Sequence, residues 1–222
     1  MLLQRHPQPE LLDLGAYPSL KVLHDNLQDM ARFARWLGVP QEVAVHLPDA
    51  AQQVIDIGCG SGDLLRRLIK RVLPALAVGL DRNPDVLHLA RLAGHPSIQW
   101  LRGDARRLPF ADAAFDVALC VHVLHHFSPS DAAQVLAECA RVARVKCIVV
   151  DLQRSAFALI GAWFLTRLTS RNPLTRIDGV RSVRNAYTAA EARALAHAAG
   201  WSNVAVHTAK AMWVMVHQRL GA

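Results

Sequence analysis

The chain has 222 residues, of which 52% are hydrophobic and 19% are charged. This length fits one domain with a modest attachment, and so much apolar surface excludes an intrinsically disordered chain. The net charge is +7, a balance found in proteins that bind nucleic acid, membranes or anionic substrates, and equally in arginine-rich proteins generally. The four cysteines have no C-x-x-C spacing, which argues against a disulfide framework and a zinc site.

The sequence pattern predicts neither a signal peptide nor a membrane-spanning segment. The first ten residues contain two prolines and no apolar run of useful length, so we predict no signal peptide. The longest apolar run, residues 156–165, is too short to cross a bilayer. We therefore expect a cytoplasmic protein.

Residues 10–46 have the apolar spacing of a helical segment. Leucine, methionine and alanine recur there at three- and four-residue steps, which places them on one helix face. Gly38 and Pro40 are expected to end this run. We interpret residues 1–48 as an N-terminal helical cap.

Strands and helices alternate after residue 53. Apolar runs at 54–57, 76–80, 98–101, 115–121 and 147–150 predict strands, and helices of 10 to 15 residues separate most of them. This alternation predicts a parallel, Rossmann-like α/β sheet over residues 49–151. Residues 188–222 complete the core, with a helix that begins at Thr188 and ends at Gly200, and two antiparallel closing strands at 204–207 and 212–216.

A glycine-rich turn and three acids mark the expected binding edge. Residues 56–62 read Asp-Ile-Gly-Cys-Gly-Ser-Gly, between the first strand and its helix, where such sheets bind ligands. Asp81 ends the second strand, and Asp104 follows the third. A dinucleotide site needs only the second-strand acid. S-adenosylmethionine (SAM) presents an ammonium group, a ribose and an adenine amine in a row, and one acid near each would suit it.

These stretches resemble the successive motifs of class I SAM-dependent methyltransferases. The resemblance covers residues 53–151 and includes Leu-Pro-Phe at 108–110 and Leu-His-His-Phe at 124–127. It implies that the glycine turn accepts the methionine end of SAM, that Asp81 binds the ribose, and that S-adenosylhomocysteine is the product. The cofactor-binding residues it implies are Asp56, Gly58, Cys59, Gly60, Gly62, Asp81, Arg82, Asp104, Ala105, Cys120 and Val121.

Three histidines follow the fourth predicted strand. Residues 123–128 resemble the Ile-Leu-His-Asp-Trp stretch of small-molecule O-methyltransferases, whose histidine is the general base; His125 matches it, and His126 is the alternative. His122 is assigned to substrate binding. No carboxylate or cysteine lies at ligand spacing beside them, so we predict no metal site. A purely packing role for these histidines stays open.

Residues 152–187 interrupt the alternation and are interpreted as a helical lid. The apolar helix at 156–165 is either buried against the core or roofs an apolar substrate pocket, with Trp163 and Tyr187 facing the substrate; Tyr187 could equally be a packing residue. Residues 151–185 hold six arginines against two aspartates, which suggests peripheral contact with a membrane surface.

The predicted substrate is a small lipophilic aromatic molecule. Full transfer of a proton from a phenol of pKa about 10 to a histidine of pKa about 6.5 costs about 5 kcal/mol. The same transfer from an aliphatic alcohol costs about 12 kcal/mol. We therefore expect O-methylation of a phenol, quinol or enol. Looser resemblances to quinone- and polyketide-biosynthesis methyltransferases point to secondary metabolism. The alternatives are C-methylation and a non-catalytic SAM-binding module. We expect no nucleic-acid partner. The sequence is compatible with a monomer and with a homodimer.

Overall fold

The computed structural model describes residues 4–49 and 51–219. In this part of the chain the helices are α1 (Leu20–Leu37), α2 (Val39–His46), α3 (Asp63–Val72), α4 (Pro84–Leu92), α5 (Pro129–Val142), α6 (Ala156–Thr169), α7 (Pro173–Asn185) and α8 (Ala189–Ala198). The strands are β1 (Gln53–Ile57), β2 (Leu76–Asp81), β3 (Ile98–Arg102), β4 (Phe115–Val121), β5 (Ala143–Leu152), β6 (Val204–Ala209) and β7 (Met212–Gln218). A 3₁₀ turn, Leu124–His126, follows β4.

The strands form one sheet in the order β3-β2-β1-β4-β5-β7-β6. The strands β1 to β5 pair in parallel, whereas β7 runs antiparallel to both of its neighbours. The order reverses between β1 and β4, and ligands of open α/β sheets bind at the carboxyl ends of strands at such a reversal. The predicted sheet, mostly parallel with one antiparallel closing strand, is confirmed.

Helices cover both faces of the sheet. Side chains of α5 and α8 pack on one face, and side chains of α2 and α3 pack on the other. Successive residues of a strand point to opposite faces, so Cys120 joins the first cluster and Leu119 the second. Burial on both sides explains why β4 is an unbroken apolar run rather than an alternating one.

The N-terminal region departs from the predicted single helical run. The chain over residues 11–15 forms turns, and α1 begins only at Leu20, with the Ser19 hydroxyl accepting a hydrogen bond from the Val22 N–H. Gly38, at φ 86°, ends α1 as expected, but Pro40 lies in the first turn of a second helix rather than beyond the last one. Proline fits that position because the first amides of a helix have no helical acceptor.

The predicted strand at 147–150 begins earlier than expected. It starts at Ala143, directly after α5, and pairs with β4 from Phe115 onward across a register shift. Arg144 Nε donates to Asp116 Oδ1 over 3.1 Å, which ties the half-exposed start of β5 to β4. Charged residues obscured this part of the strand in the apolar pattern.

The segment after β5 is helical but is not arranged as predicted. Its second helix, α7, faces the interior of the molecule. The first helix, α6, is neither buried against the core nor part of a roof over the pocket, since Phe157 is 90% exposed and Leu168 is 80% exposed. The helices contact each other where Thr166 meets Gly179, at which an added Cβ would lie 2.7 Å from the threonine methyl. No helix within the described residues is long and apolar enough to span a membrane.

Candidate active site

The glycine turn between β1 and α3 is a left-handed loop held against its neighbours. Gly58, Gly60 and Gly62 have φ angles of 73°, 53° and 73°, a region that favours glycine. A Cβ at Gly58 would lie 2.4 Å from Val123, and one at Gly62 would lie 2.1 Å from Trp100. A Cβ at Gly60 would meet nothing within 4 Å, so the backbone at Gly60 is open to a ligand.

The carboxylate of Asp81 holds the turn in place. Its Oδ2 accepts a hydrogen bond from Gly60 N over 3.0 Å, and its Oδ1 accepts one from Asn83 N over 3.0 Å. Burial raises the pKa of Asp81, although the two amide hydrogen bonds oppose that shift. Each oxygen retains a lone pair for a further donor, such as a ribose hydroxyl.

One cavity of about 970 Å³ extends from this turn along the carboxyl edge of the sheet. This volume lies at the upper end of the range of about 300–1,000 Å³ for small-molecule sites, and it leaves room for two ligands side by side. Residues 9–17, α1 and α7 form its roof. The helix α6 contributes no lining residue among those described.

Most residues predicted to bind the cofactor line this cavity, but three do not. Cys120 faces the opposite side of the sheet, where it packs with Cys139 and Cys147, because neighbouring strand residues alternate between faces. Gly62 packs against Trp100 instead of facing the cavity. Asp56 is buried within β1. The predicted residues that do line the cavity are Gly58, Cys59, Gly60, Asp81, Arg82, Asp104, Ala105 and Val121.

Two of these lining residues already have charged partners. Asp104 pairs with Arg106 (2.7 Å), and that guanidinium lowers the pKa of Asp104. Arg82 donates to Asp13 Oδ1 over 3.1 Å. Arg82, Arg106 and Asp104 are 58%, 42% and 46% exposed, so these pairs contribute little to stability, and Arg82 and Asp104 can exchange partners when a ligand enters.

His125 lies in a buried ion pair with Asp151, the next-to-last residue of β5. The Nδ1–Oδ1 distance is 2.6 Å, and His125 N donates to Asp151 Oδ2 over 3.1 Å. On the other side of the ring, Nε2 lies 3.4 Å from Glu10 Oε1. Burial alone would lower the pKa of His125, but the two carboxylates outweigh it and raise that pKa to about 10. The ring is therefore an imidazolium at neutral pH, not the neutral base expected from a pKa near 6.5.

His126 is paired differently from His125. Its Nδ1 lies 2.7 Å from Asp13 Oδ2, and its side chain is 23% exposed. The ligand atoms of Glu10, His125 and His126 lie within 4.8 Å of one another, close enough to surround a metal ion. Both ring nitrogens of His125 already face carboxylates, however, and a metal ligand must offer a free lone pair.

His122 lines the cavity with an unsatisfied ring nitrogen. Its backbone is left-handed (φ 56°), and its N–H donates to Val150 O over 2.8 Å. Its Nε2 is buried and has no hydrogen-bond partner among the described residues. Burial lowers the pKa of His122 to about 4, so the ring is neutral. A buried unpaired nitrogen costs about 1–3 kcal/mol, and strained conformations of this kind cluster at functional sites.

Trp163 and Tyr187, predicted to contact the substrate, lie away from the cavity. Trp163 is 44% exposed on α6, where Arg167 stacks over it at 4.4 Å. Tyr187 is buried, donates to Phe127 O over 2.8 Å and carries Arg5 on its ring face at 4.1 Å. Tyr187 therefore has the packing role that its sequence context left open.

The residues that sequence reasoning missed belong mostly to an N-terminal strap, residues 5–13. Leu11 N and Leu12 N donate to the Asp178 carboxylate over 2.9 and 3.1 Å. Glu10 accepts from the Ser182 hydroxyl over 2.6 Å. These bonds fasten the strap to α7 above the histidines. No local signal marks Glu10, whereas Asp151 lies at the end of its strand as Asp81 does, and the same rule would have identified it.

Comparison with known proteins agrees with this geometry. The methyltransferase domain family matches residues 54–146. Demethylmenaquinone methyltransferase of Roseiflexus sp. (strain RS-1) is 31% identical over 179 residues, which is 73% of this chain and 73% of that protein. The chain belongs to the class I SAM-dependent methyltransferases. SAM is its methyl donor.

Two further matches place this methyltransferase among its relatives. Ubiquinone biosynthesis O-methyltransferase of Hahella chejuensis is 33% identical over 130 residues, covering 54% of this chain and 53% of that protein. The structure of human N-acetylserotonin methyltransferase with SAM superposes with a TM-score of 0.68 over 96% of this chain and 63% of that one, at 15% identity. That structural likeness concerns the fold.

The residues present suit SAM. The open backbone at Gly60 permits close approach, the Asp81 carboxylate faces the cavity beside it, and Ala105 leaves space further along the edge. These three residues would hold the methionine, ribose and adenine portions in that order. The same cavity extends to His122 and His125.

Proposed function

We propose that this methyltransferase methylates the oxygen of a lipophilic phenol or quinol that binds as its anion against His125. The observation that carries the proposal is the buried ion pair of His125 with Asp151, at a residue that lines the cavity. The only carboxylate the structure places against the His125 Nε2 among the described residues is Glu10, at 3.4 Å. A phenolate oxygen can take the place of this carboxylate.

Magnitudes favour a charged His125 over a neutral one. Ionising a phenol of pKa about 10 at pH 7 costs about 4 kcal/mol in water. A cation within hydrogen-bond distance stabilises the phenolate and lowers that cost. Using His125 as a base would first require removal of its own proton, which at a pKa of about 10 costs about 4 kcal/mol as well. The imidazolium therefore assists by its charge rather than by removing a proton.

The other groups orient the acceptor. SAM supplies an electrophilic methyl group on a sulfonium. The unpaired His122 Nε2 offers one hydrogen bond to a second polar group of the acceptor, such as the other hydroxyl of a quinol. The Asp151 carboxylate fixes the His125 ring in position through Nδ1. Alignment of this kind can account for a large part of the rate enhancement.

Carbon methylation is the second candidate. The Roseiflexus relative is named a demethylmenaquinone methyltransferase and the Hahella relative an O-methyltransferase of ubiquinone biosynthesis, and both names concern quinone-type compounds. A phenolate carries negative charge at its ortho and para carbons as well as at oxygen, so an anion held by His125 could react at either atom. The position of the acceptor relative to the sulfonium decides the outcome.

The experiment is product analysis with methyl-labelled SAM and a panel of phenols, naphthols and reduced quinones. An O-methyl ether identified by mass and by its carbon chemical shift supports the proposal. A new carbon–methyl bond supports the second candidate instead. Transfer only to acceptors without an ionisable hydroxyl would contradict both.

A further inference from the structure

An exposed apolar surface runs along α6. Phe157, Ile160, Phe164 and Leu168 are 90%, 56%, 53% and 80% exposed. They follow one another at three- and four-residue steps, so they lie on one face of the helix. Trp163, 44% exposed, borders this face. Large apolar side chains exposed singly are ordinary, but a contiguous stripe indicates a surface that contacts something apolar.

The stripe is not needed for the internal packing of the protein. The residues that α6 buries are Ala158 and Thr166, and Thr166 meets Gly179 of α7. The opposite face carries the aromatic side chains outward. Within the ranges 4–49 and 51–219 no element covers Phe157 or Leu168.

The charges around the stripe have a single sign. Arg167 is exposed near the end of α6, Arg171 is exposed in the connection to α7, and Arg184 is exposed on α7. The one acid within residues 152–187 is Asp178, and it is buried, with its carboxylate bound to the strap amides. The exposed charges of this segment are therefore all positive. They complement an anionic surface and disfavour contact with a positively charged one.

We propose that α6 lies in the interface of an anionic lipid membrane, with its stripe among the acyl chains and its arginines at the headgroups. Helices with an apolar face and basic residues bind membranes in this way without spanning them. The helix is short, and its other face remains packed on α7, so binding requires no unfolding. A second copy of the chain would have to bring acidic groups to the arginines.

The position of α6 links the surface to the cavity. Helix α7 contacts α6 on one side and places Asp178 and Ser182 in the cavity lining on the other. Docking through α6 would therefore hold the acceptor end of the cavity near the bilayer. This consequence rests on the proposed lipophilic acceptor, but lipid binding itself does not, since it can be measured without any acceptor.

The test is flotation of the full chain with two kinds of vesicle. One is made of phosphatidylcholine alone, and the other contains about 30% of the anionic lipid phosphatidylglycerol. We expect binding to the anionic vesicles that weakens as salt is raised. The double variant Phe157→Ser/Phe164→Ser should lower the partition coefficient at least tenfold. The matched control Val45→Ser/Leu92→Ser removes two side chains that are each 70% exposed elsewhere and should bind as the wild type does.

The charge contribution has its own pair of variants. Arg167→Gln/Arg171→Gln should lower binding to anionic vesicles at least tenfold at low salt, since each basic residue near the surface contributes substantially. Lys70→Gln/Arg71→Gln on exposed positions of α3 should leave binding unchanged. Absence of binding to anionic vesicles would overturn the proposal. So would a lipid-independent dimer, seen by light scattering, that Phe157→Ser/Phe164→Ser abolishes.

Discussion

His125 and Asp151 join the ends of two neighbouring strands through a buried ion pair. Asp151 lies at the end of β5, and both of its carboxylate oxygens contact His125, one at the ring Nδ1 and one at the backbone N–H. Burial by itself would raise the pKa of Asp151, but the charge and the hydrogen bond of His125, together with the Leu152 amide, lower it. A histidine held in this way keeps both its charge and its orientation.

The first prediction concerns stability against pH. The folded-state pKa of His125 is raised to about 10, above an unfolded value of about 6.5. Its contribution to stability is therefore complete below pH 6.5 and is lost as pH rises toward 10. Denaturant unfolding between pH 7 and 10 should show a falling free energy of unfolding. His125→Gln should remove most of that slope, and an unchanged slope would show that His125 is not charged in the folded protein.

The second prediction concerns cofactor affinity. Asp81→Ala should weaken SAM and S-adenosylhomocysteine binding at least tenfold, because it removes a charged acceptor worth about 1.5–3 kcal/mol per hydrogen bond and frees the Gly60 amide that Asp81 holds. Isothermal titration calorimetry measures this directly. Asp112→Ala, at a position whose side chain is 76% exposed, is the control. Equal affinities in the two variants would remove Asp81 from the binding site.

The third prediction separates the two adjacent histidines. His125→Gln should lower kcat roughly 10²- to 10³-fold, the usual cost of losing a preorganised electrostatic group, with SAM affinity almost unchanged. His126→Gln should cost less than tenfold, because His126 is partly exposed and its ring bonds to Asp13. If His126→Gln caused the larger loss of kcat, the acceptor would bind against His126 rather than His125.

The pH profile of kcat/KM tests whether His125 acts as a cation or as a neutral base. If His125 acts as a cation, the rate should rise with pH as the acceptor ionises and fall above about pH 10 as His125 loses its proton. A neutral general base would produce a rise centred near pH 6.5 instead. Two acceptors of different phenol pKa distinguish these cases, since only in the first does the rising limb move with the acceptor.

The fourth prediction concerns Glu10. Its carboxylate competes with an anionic acceptor for His125 Nε2, so Glu10→Gln should lower the KM for the acceptor severalfold. Glutamine can still accept the Ser182 hydroxyl that now bonds to Glu10, which keeps the strap in place. Ser182→Ala is the matched variant, since it loosens the strap without removing the charge. A raised KM in Glu10→Gln would mean that the carboxylate binds the acceptor rather than competing with it.

The fifth prediction is that methyl transfer needs no divalent metal. The ligand atoms of Glu10, His125 and His126 are close, but the imidazolium of His125 has no lone pair to offer. Activity should survive dialysis against a chelator and should not rise on addition of magnesium or zinc. Loss of activity with the chelator, restored by one of these ions, would refute the prediction.

Much of the fold follows from local patterns in the sequence. The strand ends at Ile57 and Asp81 and the helix start at Thr188 were all predicted from a few neighbouring residues. Apolar runs, glycine at left-handed positions and capping side chains act over short distances, so the sequence alone reveals them. The cofactor edge of the cavity is built from the same local motifs.

The acceptor end was decided by tertiary contacts. Glu10 reaches His125 because the strap bonds to Asp178 and Ser182 of α7. The pKa of His125 is raised chiefly by Asp151 and to a smaller extent by Glu10. The apolar composition of α6 likewise did not reveal whether Phe157 faces the core, a pocket or solvent. Burial and charge depend on which distant segments meet. Resemblance to a short family motif therefore singled out His125 and His126, and the assembled structure decided their charge and their partners.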